Sequence, residues 1–156
     1  MEDFRNTQSQ VADVLDGGVV FIVGATRWGA AWLQQCLDAH PDVCAQGEGH
    51  FTDILFPNIG EVITDYNSQC EKVGNRLLTA GLPGNAAGIA HDDIDHLLRT
   101  ALGLMFRRWA VACERPPVVI VEKTPEHVTS LDILHRILPD AKIIHVYRDG
   151  RDEAVA

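Results

Sequence analysis

Val19-Val-Phe-Ile-Val-Gly-Ala-Thr-Arg-Trp-Gly-Ala-Ala-Trp32 carries three signals in direct succession. Val19 to Val23 is an unbroken β-branched and aromatic run, the pattern of a strand buried on both faces of a parallel sheet. Gly24 to Gly29 is a turn bounded by glycines. Ala30 to Ala39 then reads as a helix, with Trp32, Leu33, Cys36 and Leu37 on one face and Pro41 to stop it. A strand that enters a glycine turn and leaves as a helix presents free N–H groups and a positive dipole end, which suit an anion. The spacing Gly24-x4-Gly29 is that of a nucleotide P-loop, which continues with Lys and Ser/Thr. Here Ala30 and Ala31 follow, so there is neither a lysine for the β/γ-phosphates nor a hydroxyl for Mg²⁺. Hydrolysis of ATP or GTP is disfavoured, while the backbone geometry remains and Arg27 adds a charge inside the loop.

The same order recurs along the chain. Val118 to Val121 reads as a second buried strand, Glu122 to Pro125 as the loop after it, and Thr129 to Leu138 as the next helix, with a capping-box-like start. Lys142 to Tyr147 reads as a strand, Arg148 to Asp152 as its turn, and Glu153 onward as a helix. Val43 to Ala45 is a short strand leading into the flexible turn Gln46-Gly-Glu-Gly-His50. Strand, turn and helix repeated three times predict an α/β domain with a mainly parallel sheet flanked by helices. The candidate motifs fall just after strand C-termini, the edge where open α/β sheets bind ligands. Between residues 51 and 115 the periodicity predicts short helices over Ile59–Tyr66 and Gln69–Leu78, a Gly/Pro-rich loop from Gly81 to Gly88, and a long helix over Asp92–Glu114. Residues 1–17 form a polar lead-in with a short helix near Val11–Leu15.

Composition narrows the functional classes. The 156 residues carry 13 Lys+Arg and 22 Asp+Glu, a formal net charge of −9, which opposes general nucleic-acid binding and docking on anionic membranes. The excess sits in the first part: residues 1–71 hold two basic residues against eleven acidic ones, and Arg27 is the only cation between Asn6 and Glu71. No apolar run approaches the ~18 residues of a membrane helix. The polar, acidic start is unlike a signal peptide, so a cytoplasmic location is expected. The four cysteines are far apart and form no CxxC, which reads as thiols in a reducing compartment. His91 and His96, at i, i+5, do not share a helix face, so no metal site is expected.

Phe21-Ile-Val-Gly-Ala-Thr-Arg-Trp-Gly-Ala-Ala-Trp-Leu-Gln-Gln35, followed by Leu37-Asp-Ala-His-Pro-Asp-Val43, resembles the opening of a PAPS-dependent sulfotransferase, PAPS being 3′-phosphoadenosine 5′-phosphosulfate. The resemblance implies a P-loop-like fold in which Arg27, Trp28, Gly29, Ala30, Ala31 and Trp32 face the phosphosulfate. Gly29, Trp32 and Arg27 match the family's first motif, whereas Thr26, Trp28, Ala30 and Ala31 replace its Pro, Ser and two hydroxyl residues. Arg148, at the end of the third strand, matches the arginine that binds the 3′-phosphate, and Ala156 stands where a serine partner is usual. Glu122-Lys-Thr-Pro125 resembles the Lys-x-Pro loop of the branch with tyrosylprotein and bacterial carbohydrate enzymes, which places Lys123 at the sulfuryl group. Glu48 of Gln46-Gly-Glu-Gly-His50 matches that branch's catalytic base, with His50 a competing base. Arg27 and Lys123 would neutralise charge on the bridging oxygen and the sulfonate. PAPS is then the donor and PAP the product, and no metal is needed.

The resemblance covers residues 19–49 and 118–156, and implies that the helical stretch 51–115 forms the acceptor site. The acceptor would be a hydroxyl or amine on a small molecule, carbohydrate or peptide. The chain stops one short turn into the helix after the Arg148 motif, so the expectation is the N-terminal part of such a domain, with exposed apolar surface favouring homo-oligomers. A non-catalytic or decayed PAPS/PAP-binding or dimerisation module is the alternative, because Ala30, Ala31 and Ala156 all sit where hydroxyls contact the donor. A P-loop NTP-dependent kinase is a distant third.

Overall fold

A computed structural model describes residues 3–84, 87–113, 119–149 and 151. Its centre is a sheet of β1 (Val19–Gly24), β2 (Val43–Ala45), β3 (Val119–Lys123) and β4 (Lys142–Val146), ordered β2-β3-β1-β4. Every pairing is parallel, as the three strand–turn–helix repeats predict. Period-two alternation divides the core between the two faces. Val19, Phe21, Val23 and Ile120 face a cluster built with Leu98, Leu102, Phe106, Leu134 and Ile137. Ile22, Val121 and Ala45 face the other way, toward Ala30, Leu33 and Leu37 of α2 (Ala30–Asp38). Because both faces are covered, β1 has no polar side chain, which is why it is legible as an unbroken apolar run.

The chain leaves β1 toward β2 and leaves β3 in the opposite direction, toward β4. The crevice between β1 and β3 is therefore the topological switch point, and ligands of open α/β sheets bind there, beyond the strand C-termini. Gly24 closes β1 against β4: a Cβ there would overlap the Val146 carbonyl oxygen, so only glycine permits this approach.

Several elements differ from the periodicity reading. The lead-in is a full helix, α1 (Phe4–Gly17), capped by Asp3, whose carboxylate accepts from Arg5 N at 3.3 Å. It packs on α4 (His91–Ala112), where Gly103 lets Val11 and Leu15 approach the helix closely. The two short helices expected over residues 59–78 are one helix, α3 (Phe56–Thr79), entered through a wide turn, Phe51–Leu55. Asn67, in the expected break, removes no backbone donor. Its side chain points outward and holds Ile89 through both its N–H (2.8 Å) and its carbonyl (2.9 Å). Glu122 and Lys123, expected in a loop, instead finish β3 beside Phe21 and Ile22. A 3₁₀ turn, Pro125–Ser130, then leads into α5 (Leu131–Ile137). The expected helix from Glu153 lies outside the described residues.

The cysteine expectation fails as well. Cys44 and Cys113 are joined in a disulfide with Cα atoms 6.6 Å apart, which ties β2 to the end of α4. The 69-residue separation gives no sequence cue, because only the fold brings the two together. Cys36 and Cys70 are free thiols.

Candidate active site

Three segments meet at the C-terminal edge of β1 and β3. The first is the Gly24–Gly29 turn. Arg27 sits in the left-handed region at φ 67°, and Gly29 at φ 98° gives way to α2. Leu33 N is the first amide of this helix to bond back to Gly29, so the N–H groups of Ala30, Ala31 and Trp32 have no intrahelical acceptor. They converge with the helix dipole at one point, as anion binding needs.

The second segment is the end of β3. Lys123 is only 7% exposed and Glu122 is fully buried. Burying two charges one after the other is costly unless each is paired. Lys123 Nζ donates to Glu48 Oε1 in a close ion pair. Glu122 Oε1 accepts from Gly49 N at 2.8 Å and from Thr124 Oγ1 at 2.5 Å. Its other oxygen faces His127 Nε2 at 3.3 Å, within ion-pair reach but off hydrogen-bond alignment. His127 is itself fully buried, stacked on Phe51, with Nδ1 2.7 Å from Thr52 Oγ1.

The third segment is the Gln46–His50 turn. Its backbone is fastened to β3 twice, by Gly49 N to Glu122 and by His50 N to Thr124 Oγ1 at 3.2 Å. At its β2 end, Ala45 N donates to Asp38 Oδ1 at 2.8 Å. Glu48 is thereby held over Lys123. Its second oxygen, Oε2, lies 3.3 Å from His50 Nε2, and His50 Nδ1 lies 2.7 Å from Asp53 Oδ2. The Lys123 hydrogen bond leads the effects that hold the Glu48 carboxyl below its ordinary value, with burial opposing it. The Asp53 hydrogen bond leads those that raise the His50 imidazole above its own.

A cleft of about 330 Å³ joins the segments, lined by Thr26, Arg27, Gly29, Ala30, Ala31, Glu48, Lys123 and Pro125. Arg27, Gly29, Ala30, Ala31, Glu48 and Lys123, singled out in the sequence, are thus brought together. His50 does not line the cleft but stands behind Glu48. Trp32 is largely exposed on α2, and Trp28, partly buried, lies outside the lining. Arg148 is two residues past β4, on the same sheet edge but outside the cleft lining. Ala156 lies outside the described residues. Among the described residues, the two non-glycine residues with positive φ are Arg27 and His50, both at this site. Unfavourable backbone held in place clusters at functional positions.

The reading from sequence missed Glu122, Thr124, His127, Thr52 and Asp53. Asp53 had a usable cue, since it lies three residues beyond His50 at the start of a helical segment. Glu122 had none, because a carboxylate after an apolar strand normally marks the strand's exposed end.

Comparisons with known proteins point to one family. A sequence profile described as "Sulfotransferase family" matches residues 19–156. Protein-tyrosine sulfotransferase 1 from Homo sapiens is 28% identical over 137 residues, covering 87% of this chain and 32% of that protein. The Danio rerio protein of the same name is 29% identical over 137 residues, covering 87% of this chain and 34% of its own length. The chain thus spans about a third of the length of these curated relatives. With the family profile covering all but the first helix and the turn after it, the chain belongs to the sulfotransferase family.

Proposed function

We propose that this chain forms the donor-binding and catalytic part of a sulfotransferase that moves a sulfuryl group from PAPS to a hydroxyl. The observation that carries the reading is the Lys123–Glu48 ion pair, set across a cleft from the α2 N-terminus and Arg27. An acid and a base held in one cleft beside an anion site are what sulfuryl transfer to a hydroxyl requires. The residues present fit a phosphosulfate, since the cleft offers two cations and a helix start.

PAPS, when bound, supplies a sulfuryl group already activated by its phosphate leaving group. The rest is positioning and charge, as in phosphoryl transfer. The amides of Ala30 to Trp32 and Arg27 hold the phosphosulfate end. Lys123 leaves Glu48 for the sulfonate and bridging oxygen, where negative charge grows. Glu48, released from its partner, takes the proton of the attacking hydroxyl. The Lys123–Glu48 pair therefore acts as a latch that neutralises both groups until substrates separate them. Arg148, on the same edge, would take the 3′-phosphate through its planar fork. The relatives' name points to a tyrosine hydroxyl on a peptide as the first acceptor to try. The Cys44–Cys113 disulfide favours an oxidising compartment over the cytoplasm.

Calorimetric titration with PAP tests the reading. Binding in the micromolar range that is lost in Arg148→Ala is expected, and no binding by a folded sample overturns it. The second reading, binding without transfer, draws on Ala30 and Ala31, which line the cleft without hydroxyls. Labelled-sulfate transfer to a tyrosine peptide separates the two, and its loss in Glu48→Ala is expected if Glu48 is the base.

A further inference from the structure

Glu48 does not act on its own. One oxygen holds Lys123, and the other faces His50 Nε2 at 3.3 Å, while the far side of the ring meets Asp53 at 2.7 Å. An ionised Asp53 accepts only, so Nδ1 carries the proton of that hydrogen bond, and Nε2 is the ring nitrogen through which a proton can pass to or from Glu48. Asp53 is suited to that role. Burial opposes its ionisation, yet the hydrogen bond from His50 leads the effects that hold its carboxyl below the ordinary value. His50 is kept in this position by a left-handed backbone at φ 48° and by its amide on Thr124. Its ring is 34% exposed, against 41% for the Glu48 side chain, but it lies outside the cleft lining, so it keeps its contact with water when a substrate fills the cleft that Glu48 lines. The remaining charged groups around it are Glu126 from the Pro125–Ser130 turn, Lys123 through Glu48, and His127, which acts on Asp53.

We propose that His50, oriented by Asp53, is a proton relay that takes the acceptor's proton from Glu48 and delivers it to solvent. The inference rests on the sulfotransferase reading. The acceptor oxygen forms its bond to sulfur as the bond from sulfur to the bridging phosphate oxygen breaks, and that oxygen leaves with the electron pair as PAP. The hydroxyl proton passes to Glu48 Oε2 and then to His50 Nε2, and the Nδ1 proton stays on the Asp53 hydrogen bond. The imidazolium then loses its Nε2 proton to water, which returns Glu48 ionised and His50 neutral. Such a relay clears the proton while a substrate fills the cleft that Glu48 lines.

Two measurements on the 156-residue chain test it. The first needs no donor: NMR titration of the His50 ring in the unaltered chain, Asp53→Asn and Glu48→Gln. The ring is expected to titrate above its ordinary 6.5 in the unaltered chain and lower in both variants. An identical midpoint in all three overturns the relay. The second is kcat against pH for transfer from PAPS to a tyrosine peptide. His50→Gln is expected to lower kcat about tenfold, less than the ~10²–10⁴ of a directly acting base, with KM for the peptide unchanged. Its acid limb set by the imidazole should vanish, and added imidazole should restore turnover. Asp53→Asn should move that limb to lower pH. Unchanged kcat and unchanged limbs in both variants overturn the relay. If the unaltered chain neither binds PAP nor transfers sulfate, the sulfotransferase reading falls and the relay with it. The NMR arm tells that failure from a failure of the His50 coupling.

Discussion

The loop after β1 and the end of β3 lie side by side at one sheet edge and present positive charge by opposite means. The Gly24–Gly29 loop works through its backbone, with Arg27 in the left-handed region, Gly29 at φ 98°, and the first amides of α2 left without intrahelical acceptors. Its Thr26 and Arg27 side chains are exposed. The β3 end works through buried side chains, each tied to another: Lys123 to Glu48, Glu122 to Gly49 and Thr124, and His127 to Thr52. The difference teaches which substitutions each region tolerates. A backbone cradle keeps its amides when Ala30 and Ala31 replace hydroxyl residues. A buried network loses a charge balance with any single member.

Breaking the buried side should have the largest effect. Glu122→Leu leaves the Gly49 amide and the Thr124 hydroxyl without their acceptor. We expect a loss of about 3–5 kcal/mol in unfolding free energy by urea denaturation. Glu122→Gln, which still offers a carbonyl to Gly49, should lose less, and equal losses would mean that charge matters here and hydrogen bonding does not. Lys123→Ala comes next, with kcat for sulfate transfer falling by about 10²–10³, in the range of one lost transition-state donor. PAP affinity should change much less, because the product has no sulfonate for Lys123 to meet.

On the exposed side, Ala31→Ser sharpens the contrast by restoring a hydroxyl to the α2 start. PAP should bind about tenfold more tightly by calorimetry, the gain expected of one hydrogen bond to a charged group. No gain would show that the backbone amides alone saturate the anion. The smallest effect concerns the partly exposed Asp53–His50 pair. The His50 pKa is raised in the fold, so its stabilisation is fully present below the unfolded value and is lost as pH rises through the folded one. Asp53→Asn should therefore cost about 0.5 kcal/mol near pH 5.5 and close to nothing near pH 8.5, by urea titration at both.

Much of the fold was legible because it is written in local periodicity. β1 is buried on both faces, so its pattern is an apolar run; α4 carries its core stripe at helical spacing; and Gly24 and Gly29 punctuate the turn. The α3 boundaries were misread because Asn67 and Ser68 are common in turns, and only the Ile89 backbone shows where the Asn67 amide goes. The candidate site was half legible. Arg27 was found in the glycine-spaced turn, and Glu48 and Lys123 through the family resemblance, but their supports were not, since Glu122 reaches Gly49 across 73 residues of chain. Cys44 and Cys113 likewise had no local cue.

The sequence by itself determined the strand–turn–helix order, the glycine-bounded turn after β1, and which cations stand at strand ends. These are local matters of backbone conformation and apolar spacing, which act within a few residues. The tertiary structure alone decided that Lys123 is buried and paired with Glu48, that Glu122 fastens the turn carrying Glu48, and that His50 stands behind it with Asp53. Desolvation and ion pairing depend on what lies across the crevice between β1 and β3, and no spacing along the chain encodes that.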